Sequence, residues 1–313
     1  MSQVDNSLGF AAESDVPLAY MQRIRGYYLA LGYDNPYRWA HYRDVPFAPL
    51  AKPLSEARVA IVTTAAPFQP DKGDQGPGAP YNAVAKFYRV YSMPSDAPAD
   101  LRISHVAIDR FHTTAEDIGS YFPMAALREA EQAGRIGAAA PRFHGLPTNR
   151  SQVTTIEQDC PDLLARLHED EVDAALLVPN CPVCHQSSAL AARHLEENGI
   201  ATVVMGCAKD IVEHCGVPRF LFSDFPLGNG AGRPNDTASQ RTTLALALSV
   251  LESAPGPRTT VQSPLRWADD DGAWKQDYSN ADRLSPEERA AKRAEFDEIK
   301  RVAKERRDQT AAE

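Results

Sequence analysis

Val172-Asp173-Ala174-Ala175-Leu176-Leu177-Val178-Pro179-Asn180-Cys181-Pro182-Val183-Cys184-His185, a helical run from Gln186 to about Asn198, and Ala201-Thr202-Val203-Val204-Met205-Gly206 together decide the fold. The apolar run at 174–178 has the length of a fully buried strand. A helix and a second apolar run then complete a strand–helix–strand unit, which points to parallel pairing. Pro182 suits the first position of a helix, and that puts Cys181 at the N-cap. A C-x-x-C pair therefore sits where a strand ends and a helix begins, the part of an open α/β sheet where ligands bind.

Working outward, residues 58–66 form another buried strand that ends in small and hydroxyl residues, among them Thr63 and Thr64. Small residues there let a ligand approach the backbone. The Gly/Pro-rich loop that follows carries no phosphate-loop or dinucleotide fingerprint. Residues 101–108 read as a strand, 125–133 as a short helix and 157–169 as a helix with Leu163, Leu164 and Leu167 on one side. Beyond the opening unit, 209–214 read as a helix, 219–223 as a last strand and 239–253 as an apolar helix. Residues 1–14 are polar and loose, and 16–31 have helical spacing. The aromatic run Tyr33, Tyr37, Trp39, His41, Tyr42, Phe47 is an irregular arm, either packed on its own domain or lining a pocket or subunit contact. Ser285, Pro286 and Glu288 open a final helix as a capping box.

Strands alternating with helices predict an α/β fold with mainly parallel sheets, flanking helices and two Rossmann-like halves around a cleft. The expected divisions are 1–55 (N-terminal helix and arm), 56–150 and 151–253 (the two halves), and 254–313 (C-terminal extension and charged helix). The chain has 313 residues, 43% of them hydrophobic, and a net charge of −9. The acidic balance argues against nucleic acid, which needs clustered Lys and Arg. No long apolar run or signal-like start is present, so a cytoplasmic protein without a membrane partner is expected. Five cysteines, an odd number, read as thiols or a site and not as a disulfide framework.

Helix N-terminal amides favour a thiolate at Cys181, and Cys184 lies one turn on, where it can attack a bond formed at Cys181. The same spacing also fits two inert small hydrophobes, or half of a structural zinc site completed by Cys207, His214 or Cys215. Cys207 follows the next parallel strand, and neighbouring strand ends about 5 Å apart would bring it near Cys181. His105, Asp109, His112 and Asp117 cluster after one strand. They suit a divalent metal (His105, Asp109 and His112), acid–base catalysis, or plain capping.

Several linked motifs resemble the selenoprotein B component of the glycine, sarcosine and betaine reductases, with D-proline reductase a more distant relative. They are Val59-Ala60-Ile61-Val62-Thr63-Thr64-Ala65, Ser104-His105-Val106-Ala107-Ile108-Asp109, the run from Asp117 through Glu129 with Gly134-Arg135-Ile136-Gly137, the cysteine turn, and Phe225-Pro226-Leu227-Gly228-Asn229. The resemblance covers roughly residues 56–252. It aligns Cys181 with the family's selenocysteine and Cys184 with its next cysteine, while Ser187 replaces its last. It implies an oxidoreductase in which Cys181 attacks a small molecule and Cys184 resolves the intermediate, aided by His105 and Asp109. Thr63, Thr64, Asn180, Cys207 and Asn229 would then bind substrate. The expected activity is reductive cleavage of a carbon–heteroatom bond, with an external thiol reductant and no certain cofactor. The expected assembly is a homo-oligomer or a partnership within a reductase complex. Two alternatives stand beside it: a metal-dependent desulfidase or hydrolytic enzyme, and a non-catalytic thiol- or metal-sensing component of a complex.

Overall fold

A computed structural model of the protein describes residues 16–34, 37–77, 88–148, 151–268 and 272–310; the polar leader 1–14 lies outside them. The strands are β1 (Arg58–Thr63), β2 (Ala66–Pro67), β3 (Tyr91–Pro94), β4 (Leu101–Arg102), β5 (Ala138–Ala139), β6 (Arg142–Gly145), β7 (Ala174–Val178), β8 (Ala201–Gly206), β9 (Arg219–Phe222) and β10 (Thr259–Gln262). The helices are α1 (Tyr20–Ala30), α2 (Met124–Gln132), α3 (Cys160–Glu169), α4 (Pro182–Glu197), α5 (Lys209–Cys215), α6 (Thr237–Ser253) and α7 (Pro286–Thr310).

One eight-stranded sheet runs β10-β9-β8-β7-β1-β6-β3, with β5 also beside β1. Strands from 56–150 and from 151–253 therefore share a sheet. Every pairing in it is parallel except β3 with β6. The centre, β7 and β8, is buried along its whole length. Parallel strands covered on both faces need apolar side chains on both, which explains the unbroken runs at 174–178 and 201–206. Each fully buried Val or Leu there contributes roughly 1.5–3 kcal/mol. Register aligns Thr63 with Val178 and Leu177 with Val204, so the strand ends carrying Thr64, Asn180 and Cys207 finish at one edge.

Three expectations change. The strand expected at 101–108 is only Leu101–Arg102, paired antiparallel with Ala66–Pro67 in a separate two-stranded ribbon. In the main sheet β1 already has β6 on one side and β7 on the other, so no slot is left for it. The chain after Arg102 instead crosses the strand ends as a loop, where the Asp109 N–H donates to the Leu227 carbonyl at 3.2 Å. β9 is not the last strand, because β10 extends the sheet beyond it. The helix expected at 157–169 is preceded by a helical turn at Gln152–Thr154 and a π-helical stretch at Thr155–Asp159.

The final helix begins as its sequence predicts. The Ser285 N–H donates to Glu288 at 2.8 Å and the Glu288 N–H donates to Ser285 Oγ at 3.2 Å. α7 lies beside α1, with Phe296 against the rings of Tyr27 and Tyr28. Residues 272–284 pass back over the strand ends as a strap. The Tyr278 hydroxyl donates to the Ala107 carbonyl at 3.0 Å, and Lys275 donates to the Val16 carbonyl at 3.1 Å and pairs with Asp224. Among the described residues, no helix is long and apolar enough to cross a membrane.

Candidate active site

β7 ends at Val178, and α4 starts at Pro182 with Cys181 as its N-cap. Proline has no N–H to lose at that first position, and the Cys181 sulfur takes up a free amide of the first turn instead. The Cys184 N–H donates to Cys181 Sγ at 3.2 Å, and the two sulfurs are 2.6 Å apart. Both cysteines are buried and neither is in a disulfide. That separation is close enough for a disulfide to form with a small side-chain adjustment.

His105 comes from the loop after β4, its Nε2 3.6 Å from Cys184 Sγ, while Thr148 Oγ1 lies 3.2 Å from the same sulfur. Burial opposes charge on Cys184, but the Cys181 sulfur, His105 and Thr148 outweigh it and hold this thiol well below its ordinary range. His105, Cys181 and Cys184 bring their ligand atoms within 4.8 Å of one another, and no other such His/Cys/Asp/Glu trio occurs among the described residues. Asp109 and His112 do not belong to it. Asp109 instead accepts the N–H groups of Phe111 and His112 at 3.0 and 3.1 Å and lies 3.2 Å from His112 Nδ1. His112 Nε2 reaches Asp277 of the strap at 3.3 Å. Burial raises the Asp109 carboxyl, and His112 partly offsets that.

His185 points away from the thiols. Its Nε2 accepts the Cys207 N–H at 2.9 Å, so its Nδ1 carries the hydrogen and donates to the Cys181 carbonyl at 2.7 Å. Burial pushes this imidazole down to about 4, and it is a neutral tie between β8 and the thiol turn. Cys207 is thereby joined to the turn through its backbone. Its own sulfur lies outside the trio and is pushed up to about 12 by burial and Asp224, against backbone hydrogen bonds from Asn229 and Phe225.

The threonine oxygens close strand ends. Thr63 Oγ1 accepts the Ala65 N–H at 3.1 Å and Thr64 Oγ1 accepts the Asn180 N–H at 3.0 Å. Asn229 donates to Thr113 Oγ1 at 2.7 Å and to the Pro226 carbonyl at 3.0 Å. Among the described residues, Asn180, next to Cys181, is fully buried with no partner for either side-chain atom, and Ser104 Oγ, His105 Nδ1 and Asn229 Oδ1 have none either. A buried polar atom left unpaired costs about 1–3 kcal/mol, and four residues around the cysteine turn carry such atoms.

Thr148 and the strap residues Trp274, Asp277 and Tyr278 are additions that the sequence does not announce. Only the aromatic content of an otherwise Pro- and Asp-rich stretch sets 272–284 apart. Tyr278 is buried, packs edge-on against Tyr20 at 5.2 Å, and lies near enough to Cys181 to feel its charge. Beyond it opens a cavity of about 600 Å³, whose walls include Pro182, Val183, Tyr27, Tyr28, Tyr37 and Tyr278.

Comparison with known proteins gives three relatives. The chain is 30% identical over 224 residues to the gamma subunit of D-proline reductase from Acetoanaerobium sticklandii, covering 71% of this chain and 89% of that one. It is 24% identical over 235 residues to the component B gamma subunit of the glycine reductase complex from Symbiobacterium thermophilum, covering 74% and 54%. It is 24% identical over 240 residues to the component B beta subunit of the sarcosine reductase complex from Peptoclostridium acidaminophilum, covering 74% and 53%. The chain thus spans about half the length of the last two. No family model matches it, and no solved structure does.

Proposed function

Because the chain belongs to the family that holds the gamma subunit of D-proline reductase and the component B subunits of the glycine and sarcosine reductases, we propose that it is the thiol-bearing subunit of a reductase acting on a small molecule. The observation that carries this reading is the buried pair Cys181 and Cys184 with sulfurs 2.6 Å apart at the start of α4. Cys184, the more acidic thiol, carries the resting thiolate; the Cys181 proton passes to it across the 2.6 Å contact, against the pKa order. Cys181 then attacks the substrate carbon, the C–X bond breaks, and X takes that proton as it leaves as HX, which restores the Cys184 thiolate. Cys184 attacks the Cys181 sulfur next. The carbon departs with the electron pair, takes a proton and becomes C–H, and the pair is left as a disulfide. An external thiol reductant returns both sulfurs to thiols. Asn180 and Asn229 offer unpaired side-chain atoms for the substrate, and His105 steadies the Cys184 charge. As in the complexes named for its relatives, a partner subunit would complete the enzyme.

A second reading rests on the His105, Cys181 and Cys184 trio within 4.8 Å. Two thiolates and an imidazole are a soft donor set that suits zinc and leaves a fourth position open. One experiment separates the two. Iodoacetamide labelling at neutral pH is mapped by mass spectrometry before and after chelation, with zinc measured on the same sample. Prompt Cys181 labelling without chelation, and loss of turnover in Cys181→Ser, support thiol attack. Labelling only after stoichiometric zinc is stripped supports the metal. An unreactive Cys181 together with a fully active Cys181→Ser protein sinks both.

A further inference from the structure

The cavity beside the thiol turn is built almost wholly from parts outside the parallel sheet: α1, the aromatic arm, the loop after His105, the strap and α7. Its volume of about 600 Å³ lies in the range of pockets that enclose drug-sized ligands, roughly 300–1,000 Å³. About half of its apolar lining residues are aromatic, five of them tyrosines, which favours a flat ligand body. Phe111 lies at the wall yet is 74% exposed, an apolar ring left for something to cover.

The wall is also charged in one direction. Arg25, Arg110, Arg283, Lys292 and Lys300 face it against Asp277 and Glu288, in a chain whose net charge is −9. Four of these cations are engaged: Arg110 and Lys292 with Glu295, Arg283 with Asp277, and Lys300 with Asp297. Arg25 is exposed and has no acidic partner among the described residues. The Tyr27 hydroxyl, also on the wall, has no hydrogen bond among them either.

We infer that this cavity binds an aromatic carboxylate, or an organic anion of the same build, with its ring among the tyrosines and its charge at Arg25, next to the Cys181 turn. That the ligand is then presented to Cys181 rests on the thiol reading above; the binding itself does not. Calorimetry on the intact protein with 2-naphthoate and the uncharged 2-naphthalenemethanol tests it. One site per chain is expected, with naphthoate about tenfold tighter than the alcohol, the size of one charged hydrogen bond. Arg25→Gln should remove that difference while leaving alcohol binding intact, and Val183→Trp should abolish binding of both. No saturable binding, or naphthoate affinity unchanged in both variants, overturns the inference. Saturating naphthoate should also slow iodoacetamide labelling of Cys181 severalfold. Binding that obeys Arg25 and Val183 beside a Cys181 that never labels would leave the cavity standing and remove the thiol reading.

Discussion

His185 carries a lesson in how little a side chain's identity says about its task. It follows Cys184 directly and has the chemistry of a proton carrier, yet both ring nitrogens are spent on backbone groups of Cys207 and Cys181. Burial holds it at about 4 in the fold, against 6.5 for a free imidazole, so between those values the unfolded chain binds a proton that the native state refuses. Stability must therefore fall as pH drops from about 6.5 to about 4. The loss from this one residue is on the order of 3 kcal/mol. Urea midpoints measured across that window should slope down in the parent protein. In His185→Gln they should start lower, because two tethers go, and slope less; equal slopes would show that His185 does not stay neutral. His105 behaves oppositely: from a loop with no regular structure it reaches Cys184, while Asp109, four residues on, serves its own turn and His112.

At the scale of elements, what could be read in advance follows burial. β1, β7 and β8 are buried through, so their apolar runs stand out in the sequence, and the cysteine turn at the end of β7 is legible with them. β3 and β10 lie at the sheet margins and are only partly covered, so their residues show no pattern to read. The strap is invisible for another reason: several of its contacts are with residues more than a hundred positions away, such as Tyr278 with Ala107. α7 was legible from its cap alone. Ser285→Ala should cost about 1 kcal/mol at that end. Because Phe296 and Lys300 of α7 wall the cavity, the loss should appear locally, as faster amide hydrogen exchange through the first turns of α7 with the sheet unchanged. Uniform acceleration throughout the protein would contradict that assignment.

A buried ion pair ties β9, α4 and the aromatic arm together. Arg219 on β9 meets Glu196 on α4 at 2.7 Å, with 2% and 0% of their side chains exposed. Arg219 also donates to the Ala48 carbonyl at 2.7 Å and lies over the Phe47 ring at 4.0 Å, while Glu196 accepts the Ala48 and Thr202 N–H groups. The aromatic arm is thus both packed on its own chain, through Phe47, and a wall of the cavity, through Tyr37 and Trp39. Arg219→Met should cost about 3–5 kcal/mol because it strands a buried carboxylate. Pairing it with Glu196→Leu should return a good part of that loss in urea unfolding; simply additive losses would mean the charges are not coupled. The strap, finally, has a consequence in time. A chain is made from its N-terminus, so Cys181 and Cys184 leave the ribosome well before residues 272–284 exist. Until then nothing stands where Tyr278 will, and the thiols of the nascent chain meet whatever oxidants surround it. The segment least like a catalytic element is thus the last to arrive around Cys181.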